Sequence, residues 1–230
     1  MHYDNEILSS CVEWDVTNWS KALEHWSHNL DLREKNYQCL ELGARHGGLS
    51  LWLALNGNNV VCSDLQNPGE TATKLHSKYG VRDRIKYQAI DATSIPYENY
   101  FDIVVFKSIL GGIARNEKGY LMQKVVGEIY RSLKPGGKLL FAENLQASKF
   151  HQFLRKRLTG WGNYWNYLKL NQIDDLFREF ESLHYNTAGF LGAFGRTEHQ
   201  RNILGKLDSL IMERLVTNRM MYIVFGIATK

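Results

Sequence analysis

Proline is scarce in this chain, three in 230 residues, so no proline-rich linker divides it. Long apolar runs are missing too. Nothing approaches the about 18 consecutive apolar residues of a membrane-spanning helix. The first six residues are polar and include acids, which is not a secretory signal, and a cytoplasmic protein is expected. Cys11, Cys39 and Cys62 are an odd number without metal-ligand spacing. Two of them sit in apolar strand-like runs, so buried free thiols in a reducing compartment are expected. There is no phosphate-binding P-loop and no nucleophile elbow, which leaves nucleotide hydrolysis and acyl transfer without support. No metal set can be assembled; Glu143 and Asn144 could contribute to one, but no partners can be named.

Charge is low as well. A net +4 permits an anionic substrate and argues against nucleic acid, whose binders concentrate basic residues more strongly. The 44% apolar and 23% charged fractions are those of a globular protein, and the length suits a single α/β domain over 1–230.

The chain is organised around Tyr37 to Leu51. Tyr37 to Leu42 reads as a buried strand, Gly43 to Gly48 as a glycine turn, and a helix opens near Leu49. Strand, glycine turn and helix in that order form a nucleoside-binding unit of a doubly wound sheet. A dinucleotide fingerprint needs glycine at the third place of the turn, where Arg45 stands, so a pyrophosphate cofactor is disfavoured. Asn59 to Asp64 is the next strand. Its terminal Asp64 lies 21 residues beyond Gly43, close to the about 20 at which a carboxylate accepts ribose hydroxyls. Alternatively, Asp64 caps the following helix, Gly69 to Tyr79. Ile85 to Ile90 and Phe101 to Phe106 are further strands, the latter apolar enough for a parallel strand covered on both faces. Glu117 to Leu133 carries an apolar stripe at helical spacing. Lys134-Pro-Gly-Gly137 turns into the strand Lys138 to Glu143.

Leu40-Glu-Leu-Gly-Ala-Arg-His-Gly47 resembles motif I of the class I S-adenosylmethionine-dependent methyltransferases, acidic-x-Gly-x-x-x-Gly. The ordered elements that follow it, through Leu-Lys-Pro-Gly-Gly and the fifth strand, resemble that family to about Asn144. The resemblance implies a Rossmann-like, seven-stranded doubly wound sheet with helices on both faces. Its last strand, Met221 to Ala228, would lie antiparallel between the fifth and sixth, the sixth being Ser182 to Ala188. It implies S-adenosylmethionine as cofactor. Glu41 would lie near the methionine end, and Gly43, Ala44, Arg45 and Gly47 around the methionine carboxylate and amino group. Asp64 with Leu65 would hold the ribose, and Asp91 with Ala92 the adenine. Lys107 and Ser108 would line the transfer site. Asp91 can instead cap a short helix through Thr93 and Ser94. The signature Asp/Asn-Pro-Pro-aromatic is absent, which argues against methylation of base or amide nitrogens.

Two regions remain. Residues 1–36 form an N-terminal helical cap, starting a helix near Thr17 to Ser20. Leu23, Trp26 and Leu30 face the sheet, and Trp14, Trp19 or Ser20 is available to cover the cofactor. Residues 144–171 form a helical insertion after the fifth strand. Ser148 to Leu158 is basic and amphipathic, and Trp161 to Tyr167 is dense in aromatics. A packed cap, a substrate lid and a membrane-surface or nucleic-acid patch all fit this composition. Gln172 to Phe180, and the stretch carrying Leu204, Leu207, Leu210, Ile211 and Leu215, read as helices. A hydroxyl acceptor requires a general base, and His151 is the first candidate, ahead of His46, His184 and His199; Lys107 is the other catalytic candidate. The expected function is O-methylation of a small molecule or glycan. The tail more loosely resembles methyltransferases of bacterial surface-polysaccharide clusters, which makes a polysaccharide sugar the first acceptor to consider. The alternatives are an RNA or other macromolecule methyltransferase and a cofactor-binding module without transfer. Homo-oligomerisation is compatible with the sequence.

Overall fold

The computed structural model describes residues 3–115, 118–158 and 165–230, without the side chains of 155, 156 and 158. Seven strands form one sheet: β1 Gln38–Leu42, β2 Asn59–Asp64, β3 Ile85–Ala89, β4 Phe101–Lys107, β5 Leu133–Asn144, β6 Ser182–Ala188 and β7 Ile223–Thr229. Their order is β3-β2-β1-β4-β5-β7-β6. The first five are parallel, and β7 is antiparallel between β5 and β6. This is the doubly wound sheet expected from the sequence. The order reverses direction between β1 and β4, and such a switch point opens a crevice at the carboxyl ends of the strands.

The helices among the described residues are α1 Asn5–Val12, α2 Val16–Asn29, α3 Gly48–Leu55, α4 Gly69–Lys78, α5 Leu110–Ile113, α6 Tyr120–Ser132, α7 Lys149–Leu158, α8 Ile173–Leu176 and α9 Glu198–Leu207. A π turn, Asp208–Met212, and a last turn, Glu213–Leu215, prolong α9.

Side chains alternate across a strand, and that period divides the core in two. Cys39, Ile103, Val105 and Leu140 face Trp19, Leu23, Trp26 and Trp52 of α2 and α3. Leu40, Leu42, Val104, Phe106 and Leu139 face Val125, Val126 and Ile129 of α6. The α6 stripe works as its spacing requires, and each fully buried aliphatic contributes about 1.5–3 kcal/mol. All three cysteines are buried and free.

Some elements depart from expectation. The N-terminal region is two helices, broken where Glu13 (φ 68) and Asp15 (φ 46) adopt positive φ. The helix expected over 172–180 is reduced to the four residues of α8. Phe177 and Phe180 leave it to pack against Phe141 and Tyr130. Glu117, Trp161 and Tyr164 lie outside the described residues. No described helix is long and apolar enough to cross a membrane.

Candidate active site

The chain leaves β1 through three left-handed positions, Gly43 (φ 66), Arg45 (φ 53) and Gly47 (φ 78). At Gly47 a side chain is excluded twice over: by φ, and because a Cβ would sit 2.5 Å from the His76 ring. His76 is buried; its Nε2 donates to Gly47 O at 2.8 Å and its Nδ1 accepts from the Tyr87 hydroxyl at 2.8 Å. The tautomer follows because a carbonyl only accepts.

Asp64, at the end of β2, braces this turn. Its Oδ2 accepts from Arg45 N at 2.9 Å and its Oδ1 from Leu65 N at 2.7 Å. The helix-cap alternative for Asp64 does not hold, since Pro68 occupies the N-cap of α4. The carboxylate stays partly exposed, Leu65 and Gly43 are exposed, and Ala44 is buried. Asp91 is exposed beyond β3, with Ala92 beside it. One oxygen, Oδ1, accepts from both Thr93 N and Thr93 Oγ1 at 2.8 Å, so Asp91 caps a turn and not the short helix the sequence offered.

Lys107 ends β4 and Ser108 (φ 57) follows it. The ammonium of Lys107 lies 4.6 Å from the Trp19 ring centroid and 5.9 Å from that of Trp14. Burial lowers its pKa to about 8, against the opposing pull of Glu13 and Glu143. Glu143, fully buried on β5, accepts from Leu110 N and Asn144 N at 2.8 Å, and burial raises its pKa to about 7. Asn144 Nδ2 donates to Ser108 Oγ at 2.8 Å. The ends of β4 and β5 are thereby tied together.

The N-terminal cap lies over this region. Glu13 accepts from Arg45 at 2.9 Å and pairs with His46 at 2.8 Å. A Cβ on Gly48 would lie 2.4 Å from Cys11 O, so α1 rests on the first turn of α3. An open groove of about 540 Å³ lies between α1 and α4, lined in part by Glu13 and His46 of this clamp.

Two expected roles need correction. Glu41 is 3% exposed, and its oxygens accept from Leu49 N (3.2 Å), Ser50 N (2.7 Å) and Ser50 Oγ (2.5 Å). It anchors the start of α3 from within, its oxygens taken up by these three donors. His151 is fully buried. Its Nε2 donates to Phe190 O at 2.7 Å and its Nδ1 accepts from Ser148 Oγ at 2.6 Å. With both nitrogens committed it fastens α7 to the 189–195 loop, an arrangement unsuited to a general base.

The sequence reading passed over a buried polar knot. Asn18 Nδ2 reaches Asp15 Oδ1 (3.2 Å), Asp208 Oδ2 (3.2 Å) and the Tyr222 hydroxyl (3.0 Å), and that hydroxyl donates to Asp15. Asp208 also accepts from Leu191 N and Gly192 N. An acid set between Leu207 and Leu210, in a leucine-rich helical stretch, was the available signal. Trp165, meanwhile, seats its ring on Gly111 and Gly112, where added Cβ atoms would lie 2.0 and 3.1 Å from it.

This sheet order with these strand ends is the Rossmann-like methyltransferase fold. Residues 40–141 match a family model described as a methyltransferase domain. A sterol 4-C-methyltransferase of Caenorhabditis elegans is 30% identical over 55% of this chain and 36% of its own length. A Haemonchus contortus phosphoethanolamine N-methyltransferase 2, solved with phosphomonomethylethanolamine and S-adenosylhomocysteine, superposes with TM-score 0.61 at 19% identity. That match covers 92% of this chain and 52% of the other. A putative methyltransferase of Bacillus halodurans gives TM-score 0.62 at 19% identity, over 92% and 99%. The chain thus spans about a third of the sterol relative and about half of the phosphoethanolamine enzyme.

The cofactor that goes with the matched domain is S-adenosylmethionine, and the residues fit it. Asp64 keeps a partly exposed carboxylate at the end of β2, a group able to accept from ribose hydroxyls. The third place of the turn, which a dinucleotide site needs as glycine, is Arg45. The indole N–H of Trp19, fully buried beside Lys107, has no hydrogen-bond partner. Among the described residues no cluster of three His, Cys, Asp or Glu side chains could hold a metal.

Proposed function

We propose that this chain is an S-adenosylmethionine-dependent methyltransferase acting on a small-molecule acceptor. The observation that carries the reading is the meeting of the glycine turn, Asp64 and Lys107 at the switch point of the sheet. Asp64 and the turn hold the nucleoside end, and Asp91 and Ala92 border the adenine. When bound, S-adenosylmethionine supplies an activated methyl group open to in-line displacement. The chain then has to position the acceptor, exclude water and accept a proton where the acceptor is a hydroxyl.

Lys107 is the group for that proton. Burial keeps part of its amine neutral near pH 8, and Nζ stands at the carboxyl end of β4. Trp14 and Trp19 roof the same place with apolar surface. The acceptor class stays broad: a hydroxyl of a small molecule or glycan suits the absence of the nitrogen-methylating signature. The sterol and phosphoethanolamine enzymes that resemble the chain favour a small acceptor over RNA. A surface-polysaccharide sugar remains one member of the panel to be tested, and the 144–171 insertion is the segment proposed to close over the acceptor.

The experiment is transfer of labelled methyl from S-adenosylmethionine to a panel of sterols, phospho-amino alcohols and sugars, with Asp64→Ala as control. Loss of the ribose hydrogen bonds costs about 3 kcal/mol, roughly a hundredfold in cofactor affinity. Labelled product from the parent and little from the variant supports the reading. Tight cofactor binding without product from any acceptor supports a binding module instead.

A further inference from the structure

The helical rod from Glu198 to Leu215 is inside out. Its acids point inward and most of its apolar side chains outward. Glu198 accepts from Asp15 N and Val16 N at 2.9 and 2.7 Å, Asn202 accepts from Thr17 Oγ1 at 3.1 Å, and Asp208 is fully buried among Asn18, Leu191 and Gly192. Glu213 pairs with Lys21. In an α-helix, residues five apart point well away from each other; the π turn between Asp208 and Glu213 brings both acids to the inner side. What remains outside is Ile203 (50% exposed), Leu207 (38%), Leu210 (67%), Ile211 (48%) and Leu215 (75%). A core-facing helix would show the opposite arrangement.

Charge marks the same surface. The ionic side chains left exposed along and beyond this rod are cationic: Lys206, Arg214 and Arg219. The neighbouring segment repeats the pattern. No acid occurs between Glu143 and Asp174. On α7, Phe150 (56%) and Phe153 (51%) are exposed beside exposed Lys149 and Arg157. Phe150 meets Phe194 edge to face at 5.3 Å, and the turn Gly192–Phe194 packs on α9, which links the two segments. Both segments leave the sheet at one end, since Asn144 and Ala188 pair with the same residue, Ile223.

We propose that the outward face of α9 and its π turn, together with α7, docks on an anionic lipid bilayer. Leucine and phenylalanine side chains enter the headgroup boundary while the flanking lysines and arginines meet acidic headgroups. A protein partner fits less well, because lysine is depleted at protein interfaces. The proposal does not depend on methyl transfer.

The test is co-sedimentation of the full chain with phosphatidylcholine vesicles, with and without phosphatidylserine. Leu210→Ser, Leu215→Ser and the double change Lys206→Glu with Arg214→Glu serve as variants. All four side chains are exposed, so unchanged melting and circular dichroism serve as folding controls. The expected result is retention on phosphatidylserine vesicles, weakened about tenfold by each leucine change. Added salt and the charge reversal should weaken it too. Retention no greater on anionic than on neutral vesicles, retention unaffected by the leucine changes, or a dimer in solution that Leu210→Ser abolishes without vesicle binding by the parent would each overturn the proposal.

Discussion

At the scale of single residues, the proposed chemistry rests on Lys107. Water is largely excluded around it, which disfavours the charged amine and brings its pKa to about 8. If Nζ takes the acceptor proton, turnover rises with pH and levels off above about 8. Lys107→Met should lower turnover by about 10²–10⁴ and flatten the profile. A variant that keeps both rate and profile removes Lys107 from the reaction. His151 offers the converse case. His151→Ala should lower stability by about 2–3 kcal/mol, because it unpairs a buried carbonyl and a hydroxyl, while turnover per folded molecule is retained. Urea unfolding set beside activity normalised to folded protein distinguishes the two effects. The sequence placed Lys107 at a strand end because it directly follows the apolar run Ile103 to Phe106. It could not show that His151 is buried, since its partner Phe190 lies 39 residues away.

At the scale of elements, the glycine turn and the rod after Thr197 make opposite lessons. The turn was readable from local spacing: strand, glycines and helix are consecutive, and Asp64 lies one crossover away. Its support was not readable, since His76 comes from α4 and Glu13 from the N-terminal cap. Gly47→Ala should cost about 2–4 kcal/mol, the left-handed backbone and the collision with the His76 ring adding together. Equilibrium unfolding measures it; a neutral result would mean that the His76 contact gives way freely. In the rod, leucine periodicity located a helix correctly and left its facing open. The orientation is decided by Asn18, Asp208 and Glu213, whose pairing spans well over a hundred residues and leaves no local trace.

At the scale of the whole molecule, folding is coupled to protons. Asp15, Glu41 and Glu143 each have pKa values raised to about 7 by burial, so between the ordinary carboxyl range and about 7 the folded chain binds more protons than the unfolded one. Their contribution to stability falls as pH rises through that window. Glu143→Gln should therefore gain stability relative to the parent as pH climbs from 4.5 to about 7, with the difference constant above. Paired thermal melts across pH read this directly, and a difference that shrinks with rising pH contradicts the burial account. The strands were legible from their apolar runs, and the doubly wound sheet with its antiparallel last strand followed from the family resemblance. The cap and the acceptor side were not legible, because they are assembled from the first thirty and the last eighty or so residues.

The most direct test is a calorimetric titration of the full chain with S-adenosylhomocysteine, repeated with a nicotinamide dinucleotide. The account predicts one saturable site per chain for the first ligand and no heat of binding for the second. Saturable binding of the dinucleotide, or none of S-adenosylhomocysteine by a chain shown to be folded, would contradict it.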